Sequence, residues 1–191
     1  MRFLLTALPG VLRIEAEPHC DARGSFARLY CPTEFAAAGI PDFPAWQISL
    51  SRNPTCHTLR GMHFQTAPHE EAKLVRAVRG RAYDVVIDLR RDSPRYGDWI
   101  AMELDGVAMN AVLVPQGCAH GFLTVLPDTD VLYQISPLHE PDKACGVRWN
   151  DPAFAVRWPA VPALIDARDA GWPNWSAPAD TLRHAVNPCE L

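Results

Sequence analysis

The side chains best suited to acid–base chemistry lie close together within the first half of the chain. Arg60 and His63 stand in residues 59–65, and Lys73 follows ten positions after the histidine. A histidine can act as a general base, and a cation can stabilise the oxygen of an enolate. These residue types predict removal of a proton from a carbon next to a ketone. The two cations also favour a neutral imidazole and indicate an anionic substrate.

A second histidine, His120, stands in residues 117–122 between Gly117 and Gly121. The glycines permit a sharp turn just after a strand and the close approach of a ligand. A simple connection between strands explains the same segment equally well. Because His63 already indicates a site, we interpret His120 as a second site residue.

Two carboxylates, Asp84 and Asp88, fall on the same side of a strand by the two-residue alternation of β-structure. Burying a carboxylate among apolar residues is unfavourable unless the group has partners. One or both are therefore expected to face a polar pocket. For Asp88, the alternative is an ion pair with a nearby arginine at a solvated rim.

The elements that would position these residues are short strands separated by turn residues. We predict strands at residues 11–15, 27–30, 73–78, 82–89, 98–104, 111–115, 122–125 and 131–135, with a tight hairpin at 79–81 and a turn at 105–106. Short helices are predicted at residues 32–39, with Thr33 as a possible cap and Gly39 at the end, and at 163–170. The 18 prolines also favour β-structure over helix. This spacing predicts an all-β sandwich or barrel, with a jelly roll as the closed solution.

Composition limits the function classes further. The 191 residues suit one domain, residues 1–191, with an irregular tail from about residue 160. A net charge of −4 argues against a nucleic-acid binder, which usually has a basic face. The sequence has no apolar run approaching the roughly 18 residues of a membrane span. We therefore expect neither nucleic acid nor a membrane as a partner.

The cysteines bear on the compartment. The six cysteines form no CxxC pair, and Pro9 and Gly10 interrupt the apolar run that begins the sequence before it reaches the length of a secretory signal. We expect free thiols and a cytoplasmic protein.

Six short motifs occur in a specific order along the chain: DARGSF at 21–26, LRGMHFQ at 59–65, KLVR at 73–76, YDVVIDLR at 83–90, AHGF at 119–122 and RWNDP at 148–152. Together they resemble the dTDP-4-dehydrorhamnose 3,5-epimerase family, from about residue 8 to residue 159. The resemblance implies a cupin-like jelly-roll barrel and a homodimer with no metal or other cofactor. It also implies a nucleoside-diphosphate 4-keto-6-deoxy sugar as the substrate.

The resemblance further implies catalytic roles for four residues. His63 would be the base, and Lys73 would stabilise the enolate at the C4 oxygen. Tyr133 would return a proton from the opposite face of the sugar. Asp169 would orient His63, although Asp166 lies close enough in sequence to compete for that role.

Seven further residues are predicted to bind the substrate: Arg23, Phe26, Gln47, Ser49, Arg60, Asp84 and His120. The resemblance assigns the diphosphate to Arg23 and Arg60, and the nucleotide or sugar to Gln47 and His120. It also implies that Phe26 reaches the nucleotide across the dimer interface.

Three positions depart from the family pattern. Residues 136–139 read SPLH, where the family commonly has a Thr-Asp-Tyr-Tyr stretch. Ser49 stands in place of an asparagine, and Arg28 in place of a glutamate. These departures leave open the nucleoside, the sugar, and whether C3, C5 or both are inverted.

Three alternatives to a 3,5-epimerase remain open from the sequence. The first is a mono-epimerase acting on another 4-keto sugar nucleotide. The second is an inactive sugar-nucleotide binding protein, which would need no intact base and acid. The third is a metal-dependent cupin enzyme, which we disfavour because metal sites usually draw several imidazoles from adjacent strand positions and the sequence contains no HxH pair.

Overall fold

Two facing antiparallel sheets form the structure, a computed structural model that describes residues 1–40, 43 and 46–175. Within these residues the strands are β1 (Arg2–Leu5), β2 (Leu12–Glu15), β3 (His19–Asp21), β4 (Gly24–Phe26), β5 (Gln47–Asn53), β6 (Thr58–Gln65), β7 (Ala72–Arg79), β8 (Arg81–Asp88), β9 (Trp99–Asp105), β10 (Ala111–Val114), β11 (Cys118–Thr124), β12 (Thr129–Ser136), β13 (Ala144–Gly146) and β14 (Leu164–Ile165). The helices are α1 (Pro32–Ala37) and α2 (Ala167–Ala170), with a 3-10 turn at Pro141–Lys143. The all-β prediction with a few short helices is confirmed.

The strand order shows how the chain alternates between the sheets. The first sheet runs β1-β2-β10-β7-β12-β5, and the second runs β13-β6-β11-β8-β9, with β14 beside β6 in parallel. Strands β3 and β4 form a separate two-stranded sheet. Except for the adjacent pair β8 and β9, successive strands from β7 to β12 therefore cross between the facing sheets, in the manner of a jelly roll.

Three apolar clusters hold this arrangement together. The first lies between the sheets and includes Val75, Val86 and Phe122. The second covers the outer face of the first sheet, where α1 contributes Phe35. The third covers the outer face of the second sheet, where the segment after β13 contributes Phe154. Because both faces of the central strands are covered, β10 and β11 are buried along their whole length.

The predicted hairpin at residues 79–81 is wrong. Strands β7 and β8 do flank Gly80, but β7 pairs with β10 and β12 in the first sheet, whereas β8 pairs with β9 and β11 in the second. Gly80 adopts a φ of +69°, and a Cβ there would lie 2.4 Å from Thr129 Oγ1, so the chain turns sharply against β12 as it changes sheet. The turn after Asp105 is present but also joins strands of different sheets.

Several predicted elements change at their ends. Residues 27–30 form no strand, because the pairing ends at Phe26 in β4. The N-cap of α1 is Cys31 rather than Thr33, and no side chain caps the helix there. Gly39 follows the helix with a φ of +81°. The second helix, α2, forms only the last part of the predicted 163–170 segment.

No helix within the described ranges is both long enough and apolar enough to span a membrane. Cysteines 20, 31, 56, 118 and 145 are free thiols, and Cys189 lies outside the described residues. The predicted irregular tail from about residue 160 is described as far as Trp175, and residues 176–191 lie outside the described residues.

Candidate active site

The predicted site residues face each other across the interior of the two sheets. On the second sheet, His63 of β6 lies directly opposite His120 of β11, and Asp84 of β8 lies opposite Phe122 of β11. On the first sheet, Tyr133 of β12 lies opposite Ser49 of β5. Side chains on paired positions point to the same face of a sheet. The site is therefore lined from both sheets.

An irregular register brings Arg60 and His63 to the same face of β6. Residues three apart in a regular strand would point to opposite faces. Here the pairing of β6 with β11 shifts between the His120 and Phe122 positions, so that His63 pairs with His120 and Arg60 with Phe122. Gly61 lies within this shift with a φ of +129°. The bulge turns the strand so that Arg60 and His63 point to the same face, as bulges near active sites commonly do.

A histidine–carboxylate dyad lies on β6. His63 Nε2 is 2.7 Å from Asp169 Oδ1, and the backbone N–H of Gly61 donates to Asp169 Oδ2 at 2.9 Å. Burial raises the pKa of Asp169, but the bonds from His63 and Gly61 outweigh it, and the net pKa is lowered. An ionised carboxylate only accepts hydrogen bonds, so Nε2 is the donor and Nδ1 remains free to accept a proton. Asp166 instead caps α2 by accepting from Arg168 N–H at 2.8 Å.

Lys73 enters the site from the first sheet. Its side chain is only 7% exposed, and its Nζ lies 2.8 Å from Glu71 Oε1 and 3.4 Å from the backbone oxygen of His63. The lysine is thus close to the backbone of the dyad, whereas the partner of the His63 imidazole is a carboxylate. Both cations expected beside His63 therefore lie in this region, Arg60 on the same face of β6 and Lys73 at the His63 backbone oxygen.

A second histidine–carboxylate pair lies deeper in the barrel. His120 Nε2 is 2.7 Å from Asp84 Oδ2, and both side chains are buried. Burial raises the pKa of Asp84, while His120 and Lys73 offset part of that rise. Asp84 Oδ1 is buried and has no hydrogen-bond partner among the described residues. His120 lies within strand β11 rather than in the turn that its neighbouring glycines predicted.

Tyr133 packs edge-on against His120, with ring centroids 6.0 Å apart. Burial raises the pKa of Tyr133, Asp84 and Asp169 raise it further, and Arg60 lowers it. The phenol therefore keeps its proton at neutral pH, which suits a proton donor. These electrostatic contacts also show that Tyr133 shares one environment with both histidine–carboxylate pairs.

The remaining binding candidates fall into two groups. Gln47 and Ser49 lie on β5, where Gln47 Nε2 donates to Ser49 Oγ at 3.2 Å. Arg60 donates from Nε to Asn53 Oδ1 at 2.8 Å and keeps an exposed side chain at the rim. In contrast, Arg23 and Phe26 belong to the separate β3–β4 sheet. Arg23 is 91% exposed and pairs with Asp21 at 2.5 Å.

Asp88 has the structural role that was the alternative at the sequence level. It accepts from Arg90 Nη2 at 2.6 Å and from Ser93 Oγ at 2.6 Å. This carboxylate anchors the loop after β8 and does not join the other predicted site residues in a hydrogen-bond contact.

Sequence reasoning missed two residues of the site. Glu71 is buried and pairs with Lys73, and His139 Nδ1 lies 2.9 Å from Glu71 Oε2. The sequence offers only an indirect signal for His139, which lies in the SPLH stretch that departs from the family motif, and none that singles out Glu71. No group of three or more His, Cys, Asp or Glu side chains within residues 1–40, 43 and 46–175 is arranged to hold a metal ion.

This geometry can perform proton transfer at a carbon acid. An imidazole bonded to a carboxylate faces the interior from one sheet, and a protonated phenol faces it from the other. A buried ammonium lies near the imidazole strand. A base, an acid on a different sheet and a cation are the groups needed to form and quench an enolate.

Comparisons with known proteins agree with that chemistry. A family model described as dTDP-4-dehydrorhamnose 3,5-epimerase matches residues 5–177. An enzyme of that name from Sinorhizobium fredii is 32% identical over 175 residues, covering 91% of this chain and 89% of the relative. A dTDP-4-dehydrorhamnose 3-epimerase from Streptomyces niveus is 36% identical over 169 residues, covering 88% of this chain and 81% of the relative.

A solved structure matches the whole barrel. The dTDP-4-dehydrorhamnose 3,5-epimerase of Bacillus anthracis, with TDP and PPi bound, superposes with a TM-score of 0.87 at 32% identity. The match covers 91% of this chain and 99% of that one. The cupin-like jelly-roll fold expected from the sequence is confirmed.

Proposed function

This chain belongs to the dTDP-4-dehydrorhamnose 3,5-epimerase family, and we propose that it inverts C3, C5 or both of a dTDP-linked 4-keto-6-deoxy sugar. The observation that carries the proposal is the placement of His63 and Tyr133 on facing sheets of one cavity. Inversion requires removal of a proton from one face of the sugar and delivery from the other.

His63 takes the first step in this mechanism. Its Nδ1 accepts a proton from the carbon next to the C4 ketone, because Nε2 donates to Asp169. Asp169 fixes the orientation of the ring and stabilises the imidazolium that forms. This is the role of the carboxylate in other histidine-based catalytic groups.

Lys73 and Tyr133 complete the reaction. Lys73 places its ammonium at the C4 oxygen and stabilises the negative charge of the enolate. Tyr133 then protonates the carbon from the opposite face, for which its raised pKa keeps the phenol protonated. The pair His120–Asp84 supports Tyr133 through ring contact and would bind the sugar.

The binding residues suit a sugar nucleotide. Arg60 stands at the rim with an exposed guanidinium, whose planar fork fits phosphate oxygens. Gln47 and Ser49 lie on the neighbouring edge strand and would contact the nucleotide or sugar. Arg23 and Phe26 would act on a second subunit of a homodimer, because they are exposed on the separate β3–β4 sheet and not on the two sheets that line the site. The bound TDP of the Bacillus anthracis relative supports a thymidine nucleotide as the ligand.

Inversion at one carbon only is the second candidate. The Streptomyces niveus relative is a 3-epimerase. In this chain, residues 138–139 are Leu and His rather than the aromatic pair common in the family. The proposal therefore covers both outcomes. Metal analysis of active protein tests the disfavoured alternative of a metal-dependent cupin, since stoichiometric metal tied to activity would support it.

Incubation in D2O with dTDP-4-keto-6-deoxyglucose, followed by NMR, tests the proposal. Deuterium at C3 and C5 with new configurations is expected for a 3,5-epimerase, and deuterium at one carbon for a mono-epimerase. An H63A variant should bind dTDP but lose turnover. If the wild-type protein catalyses no exchange with dTDP-, CDP- or GDP-linked 4-keto sugars, the proposed function is contradicted.

A further inference from the structure

Glu71 is the centre of a hydrogen-bond network beside Lys73. Its side chain is 2% exposed, and it stands just before β7. Oε1 lies 2.8 Å from Lys73 Nζ, while Oε2 accepts from Gln65 Nε2 at 2.9 Å and lies 2.9 Å from His139 Nδ1. One buried carboxylate thus joins a lysine and a histidine that are far apart in sequence.

His139 is held in place through its backbone as well as its ring. Its N–H donates to Gln47 Oε1 at 3.2 Å, and the next N–H, of Glu140, donates to Gln65 Oε1 at 3.0 Å. The Glu140 carboxylate itself pairs with His69 at 2.8 Å. The segment after β12 is therefore fixed against β5 and β6 with His139 directed at Glu71.

The charge of Glu71 explains why Lys73 can be buried. A buried ammonium without a counter-charge is strongly unfavourable. Burial raises the pKa of Glu71, but Lys73 and His139 outweigh it, and the net pKa is lowered. The carboxylate is therefore ionised at neutral pH. Since it can only accept, His139 Nδ1 must be the donor in their hydrogen bond.

We propose that Glu71 and His139 are positioning residues for Lys73. The ionised Glu71 holds the Lys73 ammonium in place, and His139 fixes the Glu71 carboxylate in the orientation that reaches Lys73. The inference rests on the proposed function, in which Lys73 stabilises the enolate. It also gives a role to one of the positions where the chain departs from the family motif.

Other titratable groups near Lys73 act in the same region. Asp84 of β8 interacts electrostatically with Lys73. His63 offers its backbone oxygen from β6, and Tyr133 lies on the neighbouring strand β12. Asp84 is bonded to His120. Glu71 is thus the carboxylate in direct contact with the ammonium.

An E71Q variant removes the charge and keeps the shape of the side chain. We expect kcat to fall roughly tenfold, by loss of a charge-assisted hydrogen bond, with KM little changed. Binding of dTDP should be little changed, so that the loss appears in kcat rather than in KM. E70Q, which removes the charge of the adjacent carboxylate outside the Glu71 network, is the matched control and should keep the wild-type kcat. An E71Q protein with the wild-type kcat would overturn the inference.

A pair of His139 variants provides an independent test at a half-buried position. In H139N the amide nitrogen can replace Nδ1 as the donor to Glu71, whereas H139L has no donor. H139L should lower kcat several-fold, as E71Q does, and H139N should recover most of that loss. Equal effects of the two substitutions would overturn the role of His139, even if E71Q did not fold.

The wild-type measurement separates this inference from the function on which it rests. Wild-type protein that catalyses no exchange or inversion would overturn the proposed function and the inference together. Wild-type turnover combined with a wild-type kcat in both E71Q and H139L would overturn the inference alone. Binding of dTDP by each variant, measured by calorimetry, shows that the site is folded.

Discussion

The two residues proposed to exchange protons with the sugar, His63 and Tyr133, have different surroundings. His63 Nε2 donates to an ionised Asp169, which leaves Nδ1 as the nitrogen that can accept a proton. Burial keeps Tyr133 in its protonated form. In the proposed mechanism the environment of each residue, rather than its type alone, therefore determines which one removes the proton and which one returns it.

Replacing Tyr133 by phenylalanine separates removal of the proton from inversion. Y133F retains His63 and Lys73, so the proton next to the ketone should still exchange with D2O. His63 returns deuterium to the face from which it removed hydrogen, so we expect exchange with retention and a fall in inverted product of about a hundredfold or more. NMR of the sugar in D2O measures both. Inversion by Y133F at the wild-type rate would show that another group is the acid.

Two of the proposed catalytic residues, His63 and Lys73, could be selected from the sequence because they stand in short local motifs. Their supporting contacts could not. His139 and Glu71 are 68 positions apart, and nothing local to either segment indicates their contact. Likewise, either Asp166 or Asp169 could have oriented His63, and only the start of α2 decides that Asp166 is used as a helix cap.

Strand pairing was the weakest part of the prediction at the scale of elements. Residues 73–78 and 82–89 were correctly assigned as strands, since their alternation is local. Their partners are distant: β7 pairs with β10 and β12, and β8 with β9 and β11. In a barrel of two facing sheets, a short glycine turn is as suitable for crossing between sheets as for a hairpin, so turn residues alone cannot distinguish the two.

The close approach of β6 and β11 depends on a glycine at position 61. A Cβ there would lie 2.5 Å from Gly121 Cα and 3.0 Å from His120 O. Gly24 has the same φ of +129° but nothing within 4 Å of its Cβ position. We expect G61A to lower the free energy of unfolding by roughly 2 kcal/mol more than G24A, through overpacking against β11. Urea unfolding measures the difference. Equal losses would mean that β11 moves aside without a penalty.

The contacts of Asp88 with the loop after β8 should make the free energy of unfolding depend on pH. Burial raises the pKa of Asp88, but Arg90 and Ser93 outweigh it, and the net pKa is lowered. A carboxylate with a lowered folded-state pKa stabilises the protein above the unfolded-state pKa of about 3.9, and this contribution is lost as pH falls through the folded-state pKa.

We therefore expect D88N to lower the free energy of unfolding by about 2 kcal/mol at pH 7 and by less in acid. Unfolding in urea at several pH values measures this. D92N, at an exposed position, is the control and should follow the wild-type curve. The prediction fails if D88N and the wild type lose stability in parallel on acidification.

At the scale of the whole molecule, one edge of the first sheet is apolar and uncovered. Ile48 and Leu50 on the edge strand β5 are 63% and 47% exposed. Phe26 on the β3–β4 sheet is 76% exposed. Edge strands with exposed apolar side chains are usually protected in native proteins. These surfaces support the proposed homodimer, in which a second copy covers β5 and Phe26 extends to the site of its neighbour.

Mixing two defective variants tests whether Phe26 acts across that interface. H63A has no base, and F26A should bind the nucleotide weakly. In a mixed dimer, the chain with an intact His63 receives Phe26 from the H63A chain. After equal mixing and subunit exchange, about a quarter of all sites should be intact. Turnover at low substrate concentration should then exceed the sum of the separate proteins, with sedimentation reporting the dimer. If mixing gives no gain, Phe26 acts at the site of its own subunit. In that case each site of a mixed dimer would still lack either His63 or Phe26.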